Sequence, residues 1–430
     1  MYAVIGAGPM GLATARNLNK YDIPFIGFDL NSDVGGLWDI DNPHSTMYQS
    51  AHLISSKGMT EFSEFPMPDE VATYPHHSEM KRYFQSYARH FDLYRHYELS
   101  TRVVRVERNG DGWQITTERD GETQSRYFDG VLIANGTLHK PNQPSLPGKF
   151  EGELMHSCDY RDAAVFDGKR VLIVGCGNSA CDIAVDAVHR AASVDLSVRR
   201  GYYFLPKFIG GKPTDSIGGK LKLPRGPKQR LDARLIRLIV GKPSDYGLPE
   251  PSYRMYESHP VINSLVLHHL GHGDITPHGD IVGVVGDTVT FADGQSRVYD
   301  LVLMATGYKL DYPFIDASEL NWHNADAPQL YLNVFHPQYR NLFMMGMVEA
   351  AGLGWEGRNE QAEMVALYIK ARQNQHPEAD KLEKKACAEA GQTLDGGFDY
   401  LKLERMAYYV HKDSYRKAVN AHIADLKQGV

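Results

Sequence analysis

Val4-Ile5-Gly6-Ala7-Gly8-Pro9-Met10-Gly11 and Val174-Gly175-Cys176-Gly177-Asn178-Ser179-Ala180 decide the fold of this chain. Each follows a short apolar run and opens a stretch with helical spacing. Each therefore reads as the strand, turn and helix of a dinucleotide-binding unit. The first glycine permits the tight turn, and the second lets backbone approach a pyrophosphate. The third position sets how closely helix and strand pack. The helix N-terminus then offers free N–H groups and a positive dipole end to the phosphates. Candidate contacts are Gly6, Gly8, Pro9, Met10 and Gly11 at the first turn. At the second they are Gly175, Gly177, Asn178 and Ser179. Gly175 follows Gly6 by 169 residues, which is domain spacing and not a small tandem repeat.

Working outward, residues 2–5 predict a strand, 12–18 a helix and 23–30 a second strand. The same order returns over residues 170–199. The two second strands end differently. The first ends in Phe28-Asp29, and an acid there accepts hydrogen bonds from ribose hydroxyls and repels a 2′-phosphate. The second ends in Val198-Arg199-Arg200, with Lys207 nearby, and cations there suit a 2′-phosphate. The first turn is thus expected to hold the ADP half of FAD and the second NADPH. Two nucleotides held face to face suit hydride passage from a nicotinamide to a flavin.

The 430 residues are enough for two or three domains. A net charge of −7 argues against a nucleic-acid partner. The four cysteines form no CxxC pair, which fits a reduced, cytoplasmic setting. No apolar run approaches the roughly 20 residues of a membrane span. No basic region precedes the first apolar run, so it does not read as a signal peptide. The final stretch around Ala424-Asp425-Leu426-Lys427 is no apolar anchor, so a soluble protein is expected.

Between the turns, residues 78–90 predict a helix. Residues 103–106 and 112–117 predict an antiparallel element with turns at Asn109-Gly110 and Asp120-Gly121. Residues 135–148 hold three prolines and form the best linker, and a second crossing is expected over 300–308. The expected fold is α/β, with two Rossmann-like dinucleotide-binding domains, the NADPH domain inserted into the FAD domain. The FAD-binding domain takes residues 1–150 and 300–430. The NADPH-binding domain takes 151–299, with an insertion at about 201–270. Residues 382–430 read as mostly helical, broken at Gly391 and at Gly396-Gly397.

Just before the second turn, Phe150, Gly152, His156 and Tyr160 stand in an F-x-G-x-x-x-H-x-x-x-Y spacing. With the glycine turns, this resembles the flavin-containing monooxygenase family, class B flavoprotein monooxygenases. Gly35-Gly36-Leu37-Trp38 looks like the family's GGxW segment, and Met304-Ala305-Thr306-Gly307-Tyr308 is similar to its ATGY turn. Asn135-Gly136-Thr137 stands where an Ala-Thr-Gly linker is usual. Asn341-Leu342-Phe343 through Gly346, then Arg358-Asn359-Glu360-Gln361-Ala362, resembles the segment that brings a helix N-terminus to the isoalloxazine. The resemblance adds Gly36, Leu37, Trp38, Val103, Thr306, Gly307 and Gln361 to the cofactor-binding set. Arg199 and Lys207 would retain NADP⁺, with Arg200 also among the cofactor contacts.

The implied activity is insertion of one oxygen atom from O2 into a small soft nucleophile through a C4a-hydroperoxyflavin. Amines, sulfides or indoles would be the substrates, and the family suggests a homodimer. The chemistry belongs to the cofactors, so no catalytic side chain is nominated and no metal is expected. Related Baeyer–Villiger enzymes usually end the signature in Trp-Pro, whereas this chain has Tyr160-Arg161. Ketone oxygenation is the alternative, as is an NAD(P)H:acceptor flavin reductase. The family often has Asn in an N-S-x-K-E stretch, which Ile54 or Ser55 replaces here. The Phe150–Tyr160 signature reads either as a joint or as a packed turn touching neither nucleotide. Residues 220–242 read as a basic amphipathic helix with a stripe at Leu231, Leu235, Leu238 and Ile239. His268, His269, His272 and His278 read as surface or core residues.

Overall fold

The computed structural model describes residues 1–217 and 224–429. Residues 220–223 of the basic stretch lie outside them. Two parallel five-stranded sheets organise the chain. In the first, the order is Leu342–Met344, Gly130–Ile133, Tyr2–Ile5, Phe25–Phe28, Tyr97–Glu98. In the second it is Glu153–His156, Leu301–Met304, Arg170–Val174, Ser193–Ser197, Ile275–His278. In both, the strand feeding the glycine turn is central. It is flanked by its own βαβ partner and by a strand that leads toward the other unit. Most of these strands are apolar runs, as sheets covered on both faces require, with buried Asp195 the exception inside Ser193–Ser197. Tyr2–Ile5, Gly130–Ile133 and Leu301–Met304 are buried throughout.

Leu301–Met304 corrects the boundary drawn at residue 300. Its residues pair in parallel with Val171–Val174 on one side and Glu153–His156 on the other, inside the second sheet. The crossings lie side by side just beyond it, where Lys140–Pro141 pairs antiparallel with Tyr308–Lys309. The strand expected over 23–30 is shorter, Phe25–Phe28, because Pro24 has no N–H to give the ladder. The antiparallel element is three-stranded, Arg102–Asn109, Gly112–Arg119 and Glu122–Phe128. Asp120 and Gly121 both hold positive φ in its second two-residue turn, the pattern of a primed hairpin.

The second unit carries a small sheet absent from the sequence expectation, Gly148–Phe150 with Ile281–Gly286, Thr288–Phe291 and Ser296–Val298. Its own insertion is also smaller than expected. Leu265–His272 is the helix that precedes the parallel strand Ile275–His278, and its Val266, Leu267 and Leu270 join the core beside Ala184 and Ala187. Arg225–Val240 is helical, with Leu238 83% exposed on its apolar stripe. Pro377–Ala388 and Lys412–Leu426 form the expected C-terminal helices, and they pack beside Glu356–Gln373.

Candidate active site at the two glycine turns

The two turns are near copies. Gly6 and Gly175 hold φ of +110° and +121°. A Cβ on either would lie 2.4 Å from a carbonyl oxygen, that of Ala134 or Ala305. Their N–H groups donate to Phe28 O at 2.8 Å and Ser197 O at 3.0 Å. Gly8 and Gly177 sit at the N-cap positions of Pro9–Lys20 and Asn178–Val188, and neither helix has a side-chain cap. By contrast, His76, His376 and His411 cap the helices that follow them. The first N–H groups of the glycine-turn helices are thus left for a ligand, and such an end favours phosphate. A Cβ added at Gly177 meets nothing within 4 Å, so backbone there can be approached closely. This donor set fits one dinucleotide pyrophosphate at each turn.

Around the first turn, Gly35 N–H donates to Ala7 O at 3.0 Å. A Cβ on Gly36 would lie 3.0 Å from Gly8 Cα, so the Gly36–Trp38 turn rests directly on the glycine loop. Leu37 O accepts from the Ser45 hydroxyl, and Trp38 meets Trp355 edge-on at 6.3 Å. Met10 packs under Gly346. Asp29 is 7% exposed. Its carboxylate accepts Ala7 N–H at 2.5 Å and Asn31 N–H at 2.8 Å. Burial pushes that carboxyl up, and the two N–H groups pull it back. Val103 lies two residues beyond Thr101, whose N–H donates to Asp29 O at 2.8 Å.

At the second turn, Asn178 Oδ1 accepts Ile262 N–H at 2.7 Å, which leaves its amide N–H₂ for a ligand. Ser179 is half-buried on the same first turn. Arg199 is exposed, and neither it nor Arg200 forms an ion pair among the described residues. Arg200 stands over the Tyr202 ring and donates to its hydroxyl at 3.0 Å. Lys207 faces the first unit instead: its ammonium lies 5.1 Å from the centre of the Tyr74 ring. Burial pulls its pKa down, and the charge of Asp182 opposes that.

Three expected cofactor contacts are otherwise engaged. Gln361 is wholly buried: its Oε1 accepts Gly346 N–H at 2.8 Å, and its Nε2 donates to the Tyr415 hydroxyl at 2.6 Å. It ties the Glu356–Gln373 helix to the end of strand Leu342–Met344 and offers no surface to a nucleotide. Thr306 spends its hydroxyl on Asn142 O at 2.5 Å, and Gly307 O accepts Asn142 N–H at 2.9 Å. Both therefore lock the paired crossings.

The signature residues form a joint packed from within. His156 is buried, its Nδ1 accepts Cys158 N–H at 3.1 Å, and its ring meets Tyr308 of the second crossing edge-on. Burial pulls its pKa down. Tyr160 stacks on Phe166 and donates to Asp186 at 2.8 Å. Arg161 donates to Ser45 O at 2.7 Å, across the units. The histidine cluster is tied to its own neighbours: His269 pairs with Asp274 at 2.8 Å, and buried His278 stacks on Phe291.

Sequence reasoning missed the polar contacts that join the units here. Tyr48 donates to half-buried Asp182 at 3.1 Å, which also accepts from Asn263 of its own unit at 2.6 Å. Ser50 donates to Asp186 at 2.5 Å. Tyr74 donates to Lys207 O. Partners so far apart in the chain leave no periodic signal. The sum is two phosphate-accepting turns with opposite charge at their strand ends, on units held in direct contact.

The model of a family described as flavin-binding monooxygenase-like matches residues 1–424. Flavin-containing monooxygenase 5 of Mus musculus is 32% identical over 385 residues, covering 81% of this chain and 69% of that protein. Dimethylaniline monooxygenase [N-oxide-forming] 2 of Oryctolagus cuniculus is 31% identical over 376 residues, with the same two coverages of 81% and 69%. The structure of S-allyl-L-cysteine S-oxygenase from Allium sativum shares the fold, with a TM-score of 0.69 and 22% identity. That match covers 98% of this chain and 88% of the other. The chain belongs to the flavin-binding monooxygenase-like family and is a flavin-dependent monooxygenase that uses FAD and NADPH.

Proposed function

We propose that this monooxygenase oxygenates a small soft nucleophile at nitrogen or sulfur, with FAD at the first turn and NADPH at the second. The observation that carries the nitrogen-or-sulfur reading is the end of the signature. Tyr160 and Arg161 bond to Asp186 and to Ser45 O, where the ketone-oxygenating branch has Trp-Pro. The relative named as N-oxide-forming supports it. Bound FAD supplies oxygen activation once NADPH has reduced it.

The protein's own residues do the rest. The uncapped helix starts at Pro9 and Asn178 hold the pyrophosphates. Asp29 accepts from the ribose hydroxyls of FAD. Arg199 and Arg200 neutralise the 2′-phosphate of NADPH. Gly36, Leu37 and Trp38, seated against the first glycine loop, would help hold FAD, and Trp38 with Trp355 would help exclude water there. The FAD-binding unit is residues 1–141 and 308–430, and the NADPH-binding unit is 142–307. A cytoplasmic location fits the four free cysteines.

The test measures NADPH oxidation and O2 uptake with trimethylamine, a thioether and cyclohexanone in turn, and identifies products by mass. N-oxide or sulfoxide formed in step with NADPH use is the expected result. Lactone from cyclohexanone alone would replace this reading with ketone oxygenation. NADPH oxidation with no oxygenated product from any of them would leave a reductase.

A further inference from the structure

A short segment of the first unit is gripped from three sides, and one grip comes from the second unit. Lys57–Thr60 is a single helical turn whose N-cap, Ser56, is 4% exposed. From within the unit, Leu53 N–H donates to Pro75 O and Lys57 N–H to Thr73 O, both at 2.9 Å. On a second side, Thr60 O accepts Trp355 N–H at 2.9 Å, at the start of the Glu356–Gln373 helix. A Cβ on Gly354 would lie 2.5 Å from Met59 O, so the two backbones touch. On the third side stands Asp215, from the Thr214–Ile217 turn of the second unit. Its Oδ2 accepts Ser56 N–H at 2.7 Å and its Oδ1 accepts the Ser56 hydroxyl at 2.9 Å.

A helix N-cap usually supplies its own acceptor. Here the Ser56 side chain makes no cap to its own helix, and the carboxylate arrives from across the cleft. Both oxygens of Asp215 are used, so the contact fixes direction as well as distance. The turn it belongs to is itself held to the first unit, because Thr214 N–H and the Tyr74 hydroxyl share Lys207 O. Movement of the second unit therefore reaches Ile54, Ser55 and Ser56 through Asp215.

We infer that Asp215 is a positioning residue that couples the seating of the second unit to the Leu53–Thr60 wall beside the Glu356 helix start. The inference rests on the proposed function and on the resemblance that brings this helix start, against which Met59 and Thr60 pack, to the isoalloxazine. Loss of the carboxylate would let the wall loosen and water enter. NADPH and O2 would then yield more hydrogen peroxide and NADP⁺ in place of oxygenated product, with O2 reduced by two electrons and NADPH oxidised by two.

The test compares Asp215→Ala, Asp215→Asn and Ser56→Ala holoenzymes with the parent. Hydrogen exchange of peptides covering residues 53–60 is read by mass spectrometry, and peroxide released per NADPH is read beside it. Asp215→Ala should raise exchange in that peptide by roughly tenfold and lower kcat/KM for substrate by about as much. KM for NADPH should stay within about twofold. Asp215→Asn keeps one acceptor oxygen and should fall between. Ser56→Ala on top of Asp215→Ala should add little, since the hydroxyl bond it removes is already lost with the carboxylate. Unchanged exchange and unchanged peroxide in a variant that still binds flavin and oxidises NADPH would overturn the inference and leave the proposed function standing. A parent enzyme that forms no oxygenated product would instead remove the proposed function, while the exchange result would still decide whether Asp215 holds the wall.

Discussion

The two glycine turns share φ values, a carbonyl contact and an uncapped helix, yet they differ at the third position of the motif. In the first, a Cβ on Gly11 would lie 1.9 Å from Gly6 O, so helix and turn are in backbone contact. In the second, Ala180 fills that place and is 1% exposed, so the helix stands back by a methyl group. The first turn is also roofed by Gly36, whereas Gly177 faces open space. The first strand end buries an acid, and the second exposes a cation. Turn geometry thus prepares both units for a pyrophosphate. The roof and the strand end are where the proposed FAD and NADPH sites would differ.

The largest expected effect breaks the comparison at that third position. Gly11→Ala must push the helix off the turn, so the protein should purify with little or no flavin, read from its visible absorbance. Ala180→Gly should cost about 1 kcal/mol of stability and leave flavin content unchanged, because glycine only loosens a helix. Equal flavin loss in both would erase the distinction.

Next come the strand ends. Removing both cations with Arg199→Ala and Arg200→Ala should raise KM for NADPH by roughly 10- to 50-fold and leave KM for NADH nearly unchanged. Asp29→Asn should weaken FAD binding by about tenfold without altering that ratio. Steady-state kinetics with the two nucleotides and a flavin titration check these. A smaller change is expected at Lys207. Lys207→Met should shift KM for NADPH by less than about threefold, since its ammonium faces Tyr74. A loss as large as that of the arginine pair would return it to the 2′-phosphate site.

A pH scan touches the first unit more than its glycine turn. His336 is 6% exposed and stacks on Tyr339, and its Nδ1 accepts two backbone N–H groups. Burial pulls its pKa down to about 4 from 6.5. The unfolded chain therefore takes a proton below pH 6.5 that the folded chain refuses. Stability is full above pH 6.5 and is lost as pH falls toward 4, by on the order of 2–3 kcal/mol from this group. His336→Gln should flatten that part of the melting-temperature curve. An unchanged slope would assign the acid lability to other groups.

Much of this was legible in the sequence because strand, turn and helix are local. The apolar runs at Tyr2–Ile5 and Arg170–Val174, the glycines after them and the acid or arginine at the next strand's end lie within about 30 residues of one another. The motif places Gln361 on the helix but gives no sign of which face it occupies. Its partners, Gly346 and Tyr415, come from elsewhere in the chain. The same holds for Asp215 and Ser56, 159 residues apart. The extent of the insertion was misjudged because a helix feeding a parallel strand looks, in isolation, like any amphipathic piece.

The paired crossings at Lys140–Pro141 and Tyr308–Lys309 also set an order of events during synthesis. Every strand of the second sheet leaves the ribosome before Leu342–Met344 does, and the first sheet needs that strand beside Gly130–Ile133. The inner unit can close on itself while the outer one still lacks an edge and its covering C-terminal helices. The nascent chain therefore holds an unfinished flavin unit for as long as translation takes to reach residue 344. A product truncated before residue 342 would leave the Gly130–Ile133 edge of the first sheet unpaired, while every strand of the second sheet is present.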